Sequence, residues 1–302
     1  MTKSAVLFPG QGAQAPGMGK TLCEHKVASE MFDLAGDVLG YDLKSMCFDG
    51  PAEKLNETRH SQPALYVVGA AAAAVLAETE PERLKGATCA AGLSLGEYTA
   101  VHFAGGLTFE DGLKLVARRG EAMQEAADQV DSGMASVLSL DLQIIEELCK
   151  SCRDQGEILK PANLLCPGNI AVSGHKSALE KLIPAAQEAG ASRVVELAVA
   201  GAFHTPLMQS AVAKLQDALS EIEICDTRIP VFSNVDAAPH TSAEEIRGLL
   251  ARQVVGPVLW EKSLNAMIDS GVEKFEELGT GRVLRGTLKR VNRRFPADGF
   301  GD

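Results

Sequence analysis

The sequence predicts an α/β protein in which a large subdomain, residues 1–130 and 200–302, carries a mostly parallel sheet and a small α+β subdomain is inserted at 131–199. Three observations predict it. On both flanks short apolar runs alternate with longer runs of helical period, the pattern of βα units building a parallel sheet. Between Asp131 and Gly201 short strand-like runs enclose two helical ones, which suits a small antiparallel sheet under two helices. No repeat and no long polar linker interrupts the 302 residues, and 46% of them are hydrophobic, enough for a large core.

The first element, Ser4-Ala-Val-Leu-Phe8, is a short apolar strand closed by Pro9-Gly10. A glycine-rich run, QGAQAPGMG, follows and leads into a helix near 21–39. Pro63 in Gln62-Pro63-Ala64 marks the first turn of an alanine-rich helix, because its fixed φ and missing N–H suit that position. Small residues at 87–91 form a strand that runs into Gly92-Leu93-Ser94-Leu95-Gly96, with a helix over 97–103. Thr108-Phe-Glu-Asp111 reads as a capping box, and positions 113, 116, 120, 123 and 127 mark the buried face of the helix it starts. Asp131-Ser132-Gly133 breaks that period. Strands at 134–140, 169–173 and 193–199 with helices at 141–153 and 176–189 make the insert, of the ferredoxin-like βαβ kind. Helices at 205–221, 242–254 and 258–270 then alternate with strands at 229–234 and 274–278, and a basic helix starts near Val283.

Charge and cysteine usage exclude several functions. A net charge of −11 argues against nucleic acid and anionic membranes as partners, since basic surfaces make those contacts. The exception is the C-terminal stretch with Arg282, Arg285, Lys289, Arg290, Arg293 and Arg294, either a solvated helix face or a patch that receives an acidic macromolecule. The longest weakly polar run, 64–77, is too short and small-sided to cross a bilayer. The N-terminus has no secretory h-region, so the expected location is the cytoplasm, or a plastid stroma if a transit peptide was removed. Seven scattered cysteines fit reduced thiols. The one close pair, Cys149 and Cys152, lacks two further ligands at zinc spacing, so neither metal nor cofactor is expected.

The chemistry centres on Ser94. Glycines at two positions either side, between a strand and a helix, match a nucleophile elbow, with the helix N-terminus beyond the serine favouring developing negative charge. An ordinary hydroxyl in a small-residue loop is the plain alternative. Among six histidines, His204 stands before Thr205-Pro206, a cap-plus-proline helix start whose dipole disfavours the imidazolium, so this ring can accept a proton. On the 109–127 helix Arg118 lies opposite the apolar stripe and Arg119 borders it. Arg118 should be solvated. Arg119 can turn inward, to pair either with a fixed carboxylate or with one that a substrate brings.

The motifs together resemble a known family. FPGQGAQ at 8–14, GMG at 17–19, QPA at 62–64, GLSLGEYTA at 92–100, Arg119-Gly120, VSG at 172–174, GAFHTPLM at 201–208, SNVDA at 233–237, ARQVVGPVLW at 251–260 and ELGTGRVLRG at 277–286 are similar to the malonyl-CoA:acyl carrier protein transacylases of type II fatty acid synthesis. The resemblance covers nearly the whole chain in the same order. It implies a hydrolase-like large subdomain and a ping-pong transfer, in which Ser94 takes malonyl from malonyl-CoA as an ester and passes it to the phosphopantetheine thiol of acyl carrier protein. It implies His204 as base and acid, oriented by the main-chain carbonyl of Gln253, and an oxyanion hole from the N–H groups of Gln11 and Leu95. Arg119 would bind the malonyl carboxylate, Gln62 and Phe203 would line the pocket, and Lys289 and Arg290 would help dock the carrier protein. The expected state is a monomer. One departure is Leu93, where many bacterial members have histidine. A serine hydrolase or thioesterase acting on short acyl-CoA would share Ser94 and His204 but give Arg119 no task.

Overall fold

The computed structural model describes residues 2–301. β1 (Ser4–Phe8) is followed by the glycine-rich loop and α1 (Lys26–Leu39), which stops where Gly40 takes a φ of 72°. α2 (Leu43–Asp49) and α3 (Ala52–Asn56), two short helices not expected from the sequence, lead to α4 (Thr58–Thr79). β2 (Ala87–Gly92), α5 (Leu95–Phe103) and α6 (Phe109–Asp128) complete this flank. Thr108 caps α6 by accepting the Asp111 N–H at 3.0 Å.

The insert runs β3 (Ser132–Leu138), α7 (Leu142–Cys152), β4 (Leu159–Cys166), β5 (Asn169–His175), α8 (Lys176–Glu188) and β6 (Arg193–Glu196). The return flank holds α9 (Gln209–Ser220), β7 (Val231–Phe232), β8 (Pro239–His240), α10 (Ala243–Gln253), α11 (Trp260–Asp269), β9 (Lys274–Leu278), α12 (Val283–Val291) and β10 (Ala297–Phe300).

The large sheet has the order β10-β9-β1-β2-β7-β8 and is parallel except at its β7–β8 edge. β1 lies in its interior and is buried throughout, as expected of a parallel strand with helices on both faces. Alternation along β1 divides the core. Val6 and Phe8 join a cluster with α4, α5, α6 and α9, whereas Ala5 and Leu7 join a second cluster with α11 and α12. The small sheet has the order β4-β5-β3-β6, antiparallel throughout, with its own core under α7 and α8. This is the expected α/β class, and the insert closes the βαββαβ pattern.

Several readings need correction. α4 begins at Thr58, so Pro63 lies inside it and not at its first turn. The extra turn is held by a tertiary contact, Thr58 N–H donating to Gln124 Oε1 at 3.1 Å, together with the helical bond from Ser61 N–H to Glu57 O at 2.9 Å. At 22 residues and mean hydropathy 1.2, α4 is long and apolar enough to cross a membrane. Its apolar window is 78% buried within the protein, which makes it the central core helix. β4 escaped the sequence reading because Pro161 and two register shifts break its pattern; it is an edge strand, where proline is tolerated. The strands expected at 193–199 and 229–234 shorten to β6 and β7, and 205–208 is a separate tight turn before α9.

Candidate active site

Ser94 sits on the turn between β2 and α5 at φ 51° and ψ −103°, a region that L-residues seldom occupy. Such strain persists only where surrounding contacts enforce it. A Cβ on Gly92 would fall 1.9 Å from the Gly96 carbonyl carbon, and one on Gly96 2.0 Å from Phe8 O. The two glycines are therefore required by close approach of the turn to itself and to β1, and neither has a positive φ. Asn234, after β7, clamps the turn: its Oδ1 accepts Ser94 N–H at 2.6 Å and its Nδ2 donates to Gly92 O at 2.8 Å.

His204 also has a positive φ, 62°, and is buried. Its Nε2 is 2.8 Å from Ser94 Oγ, although 110 positions separate the two residues. Its Nδ1 is 2.9 Å from Gln253 O. A carbonyl can only accept, so Nδ1 carries the ring proton and Nε2 is left to accept from the serine. Burial, followed by the nearby Arg119 cation, pushes the imidazole down to about 4. The sequence suggested a helix dipole as the reason for a neutral ring; burial is the stronger cause.

Arg119 is 1% exposed, and Arg118 faces solvent in an ion pair with Glu221. No fixed carboxylate pairs with Arg119 among the described residues. Its Nη1 donates to Gln62 Oε1 at 2.6 Å, and its Nη2 to Gln253 Oε1 at 2.9 Å and Ser94 Oγ at 3.1 Å. The guanidinium lies 5.0 Å from the Tyr98 ring centroid. Its buried Nε has no partner. Burial disfavours its charge; three neutral oxygens and the Tyr98 ring contact it and offset that cost, together with the field of the Glu97 carboxylate, which does not touch it.

Two cavities meet at His204. An inner one of about 70 Å³ is lined by Gln11, Ser94, Leu95, Arg119, Met123 and Phe203 among others, whereas Gln62, expected to line it, does not and bears on it through Arg119. An outer groove of about 560 Å³ runs between the insert and the return flank. Lys150, Arg153, Lys160 and Lys262 line it, all exposed and none in an ion pair among the described residues. Leu95 is the first residue of α5, so its N–H lies outside the intrahelical ladder, and Ser94 N–H is already taken by Asn234. Gln11 and Leu95 both line the inner cavity. Lys289 and Arg290 are exposed on α12 and do not line the groove; Arg290 sits beside Cys166 at the end of β4. All seven cysteines are free.

A family profile, the acyl transferase domain, matches residues 6–290. The chain belongs to this family. It is 40% identical over 297 residues to a Bacillus subtilis (strain 168) protein named malonyl CoA-acyl carrier protein transacylase, covering 97% of this chain and 92% of the relative. An acyl carrier protein S-malonyltransferase from Vibrio cholerae O1 biovar eltor has a crystal structure that matches with TM-score 0.93 at 37% identity, covering 100% and 97% of the two chains. A malonyl-transacylase in complex with its type II PKS acyl-carrier protein matches with TM-score 0.95 at 38% identity, covering 100% and 96%.

Within this acyl transferase, sequence reasoning passed over two site residues. Asn234 stood in the quoted SNVDA motif without a role, and Glu97 in GLSLGEYTA without one. Glu97 is 2% exposed; its Oε2 accepts Asn234 N–H at 3.0 Å and Gln253 Nε2 at 2.6 Å. Burial pushes its carboxyl up to about 7. The signal that could have found it is its place three residues after Ser94, as the one carboxylate in a helix that carries no lysine or arginine to pair with it.

Proposed function

We propose that this acyl transferase moves malonyl from malonyl-CoA to the phosphopantetheine thiol of acyl carrier protein, supplying extender units for fatty acid synthesis. The observation that carries this reading is a buried guanidinium, without an ion-pair partner, 3.1 Å from a serine Oγ that is itself 2.8 Å from an imidazole. A nucleophile beside a cation awaiting an anion suits an acyl group that ends in a carboxylate.

In the first half-reaction Ser94 Oγ attacks the thioester carbonyl carbon while His204 Nε2 takes its proton. The oxyanion forms opposite the N–H groups of Gln11 and Leu95. Collapse breaks the C–S bond, His204 returns the proton to the departing sulfur, and free coenzyme A leaves a malonyl-serine ester. In the second half the carrier thiol gives its proton to His204 and attacks the ester, and the proton then restores the Ser94 hydroxyl. Gln253 O holds the imidazole tautomer, the place that aspartate takes in a triad. Arg119 holds the malonyl carboxylate, steadied by Gln62, and Phe203 bounds the acyl group. The unpaired cations of the outer groove suit both an anionic coenzyme and an acidic carrier, and Lys289 and Arg290 extend that surface at α12. We further propose that the protein acts as a monomer in the cytoplasm, or in a plastid stroma where a transit segment has been removed.

Brief exposure to malonyl-CoA followed by intact and peptide mass spectrometry should show one malonyl adduct on the peptide containing Ser94, discharged by added holo carrier protein. Release of free malonate at the same rate without acceptor would instead identify a hydrolase.

A further inference from the structure

We propose that Glu97 is a positioning residue for acyl-group selection: it fixes the side-chain amide of Gln253 so that the amide oxygen keeps Arg119 directed into the inner cavity. The inference rests on the transacylase reading above and deepens it.

The Gln253 side chain is buried between two charged groups of opposite hydrogen-bonding character. On one side Glu97 Oε2 accepts from Nε2 at 2.6 Å; on the other Arg119 Nη2 donates to Oε1 at 2.9 Å. An amide has a donating end and an accepting end of nearly the same shape, and only its neighbours decide which way it points. A guanidinium can only donate. With Glu97 in place a flipped amide would set oxygen against oxygen on one side and N–H against N–H on the other, so one orientation survives. The same Nε2 also reaches Ser94 O at 2.9 Å, and Glu97 Oε2 takes Asn234 N–H at 3.0 Å, which ties the amide to both sides of the elbow. The Asn234 and Gln253 N–H groups both point at Oε2, and the Ser233 hydroxyl that also meets the carboxyl can accept as readily as donate, so a proton acquired by Glu97 goes to its other oxygen and leaves this arrangement intact.

The consequence for selection is physical. A carboxylate touching Arg119 would compete with the acyl carboxylate, whereas Gln253 and Gln62 offer neutral oxygens that orient the fork without an ion pair. Glu97 acts one residue away, through the amide. Removing it lets the amide turn, sets N–H groups against the guanidinium and disorders the fork.

The test measures kcat/KM with malonyl-CoA and with acetyl-CoA for wild type, Glu97→Ala, Glu97→Gln, Gln253→Leu and the double variant Glu97→Ala/Gln253→Leu. Glu97→Ala and Gln253→Leu should each lower the malonyl-to-acetyl ratio by about ten-fold or more, the scale of a lost hydrogen bond to a charged group. The double variant should lower it no further, because both changes act through one amide. Glu97→Gln, whose carbonyl can stand where Oε2 stands, should restore the ratio to within about three-fold of wild type. Equal losses with both donors in a Glu97→Ala protein whose circular dichroism and melting point are retained would overturn the proposal, as would additive effects in the double variant. Should Glu97→Ala fail to fold, an unchanged ratio in Gln253→Leu overturns it alone. A wild-type protein that forms no malonyl adduct at all would mark failure of the transacylase reading instead.

Discussion

Ser94, His204 and Arg119 form one unit, and the roles divide by charge. Arg119 is the one buried cation at the inner cavity, so Arg119→Ala should lower kcat/KM for malonyl-CoA by about a hundred-fold, the cost of stranding a carboxylate in a closed site, and affect acetyl-CoA far less. Parallel assays with the two thioesters check this. Equal losses would remove Arg119 from selection. The imidazole gives a second expectation. Its folded value lies at about 4, and the neutral form is the base, so acylation should not lose His204 on lowering the pH from 7 to 5. Below about 4 the rate should fall about ten-fold per pH unit, as the ring becomes charged next to Arg119. Protonation of Glu97, whose carboxyl is pushed up to about 7, leaves Oε2 accepting and should add no limb there, whereas a limb near 7 that vanishes in Glu97→Gln would show that the proton disturbs the amide. Rapid-quench acylation across pH, at constant ionic strength, separates the two. At this scale the residue types of Ser94, His204 and Arg119 were legible from turn, cap and helical face. The roles of Asn234 and Glu97 were not, because what a buried asparagine or glutamate does depends on its partners, here 137 and 156 positions from Glu97.

The elbow and the groove are built by elements. Gly96 has no room for a Cβ because α5 begins against β1, 2.0 Å from Phe8 O. Gly96→Ala should therefore push Ser94 out of line with His204 and slow acylation by roughly a hundred-fold, as for a displacement of about 1 Å at a reacting group. A retained fold with unaltered acylation would show that the turn tolerates the shift. The groove poses a separate question, since the insert contributes α7 and β4 to one wall and α11 contributes Lys262 to the other. Lys160→Glu with Lys262→Glu should raise KM for carrier protein about ten-fold, with a smaller effect from Lys289→Glu with Arg290→Glu, which lie outside the groove. Steady-state titration of carrier protein at fixed malonyl-CoA decides the order; the reverse order would move the docking surface to α12. Regular amphipathic helices such as α6 were legible from periodicity. The edge strand β4 was not, since its pattern carries a proline and two register shifts, and pairing with β5 is what makes it a strand.

The whole molecule is two cores on the faces of one sheet, plus a third in the insert. Leu76 on α4 is fully buried in the first, so Leu76→Ala should destabilise the fold by roughly 2–5 kcal/mol. Trp260, the sole tryptophan, is buried in the second core on the other face of the sheet, and its fluorescence in urea reads the shift. An unmoved transition would mean that the two cores unfold separately. By itself the sequence determined the α/β class, the elbow, the inward arginine and the family resemblance, because each rests on local spacing: strand and helix periods, glycines flanking a turn, one face of a helix. Only the tertiary structure decided that α4 is a core helix, that Arg119 has no carboxylate of its own and that His204 is kept neutral chiefly by burial. Those depend on which distant groups the fold brings within a few ångströms and on how much water it removes, and no local pattern carries that information.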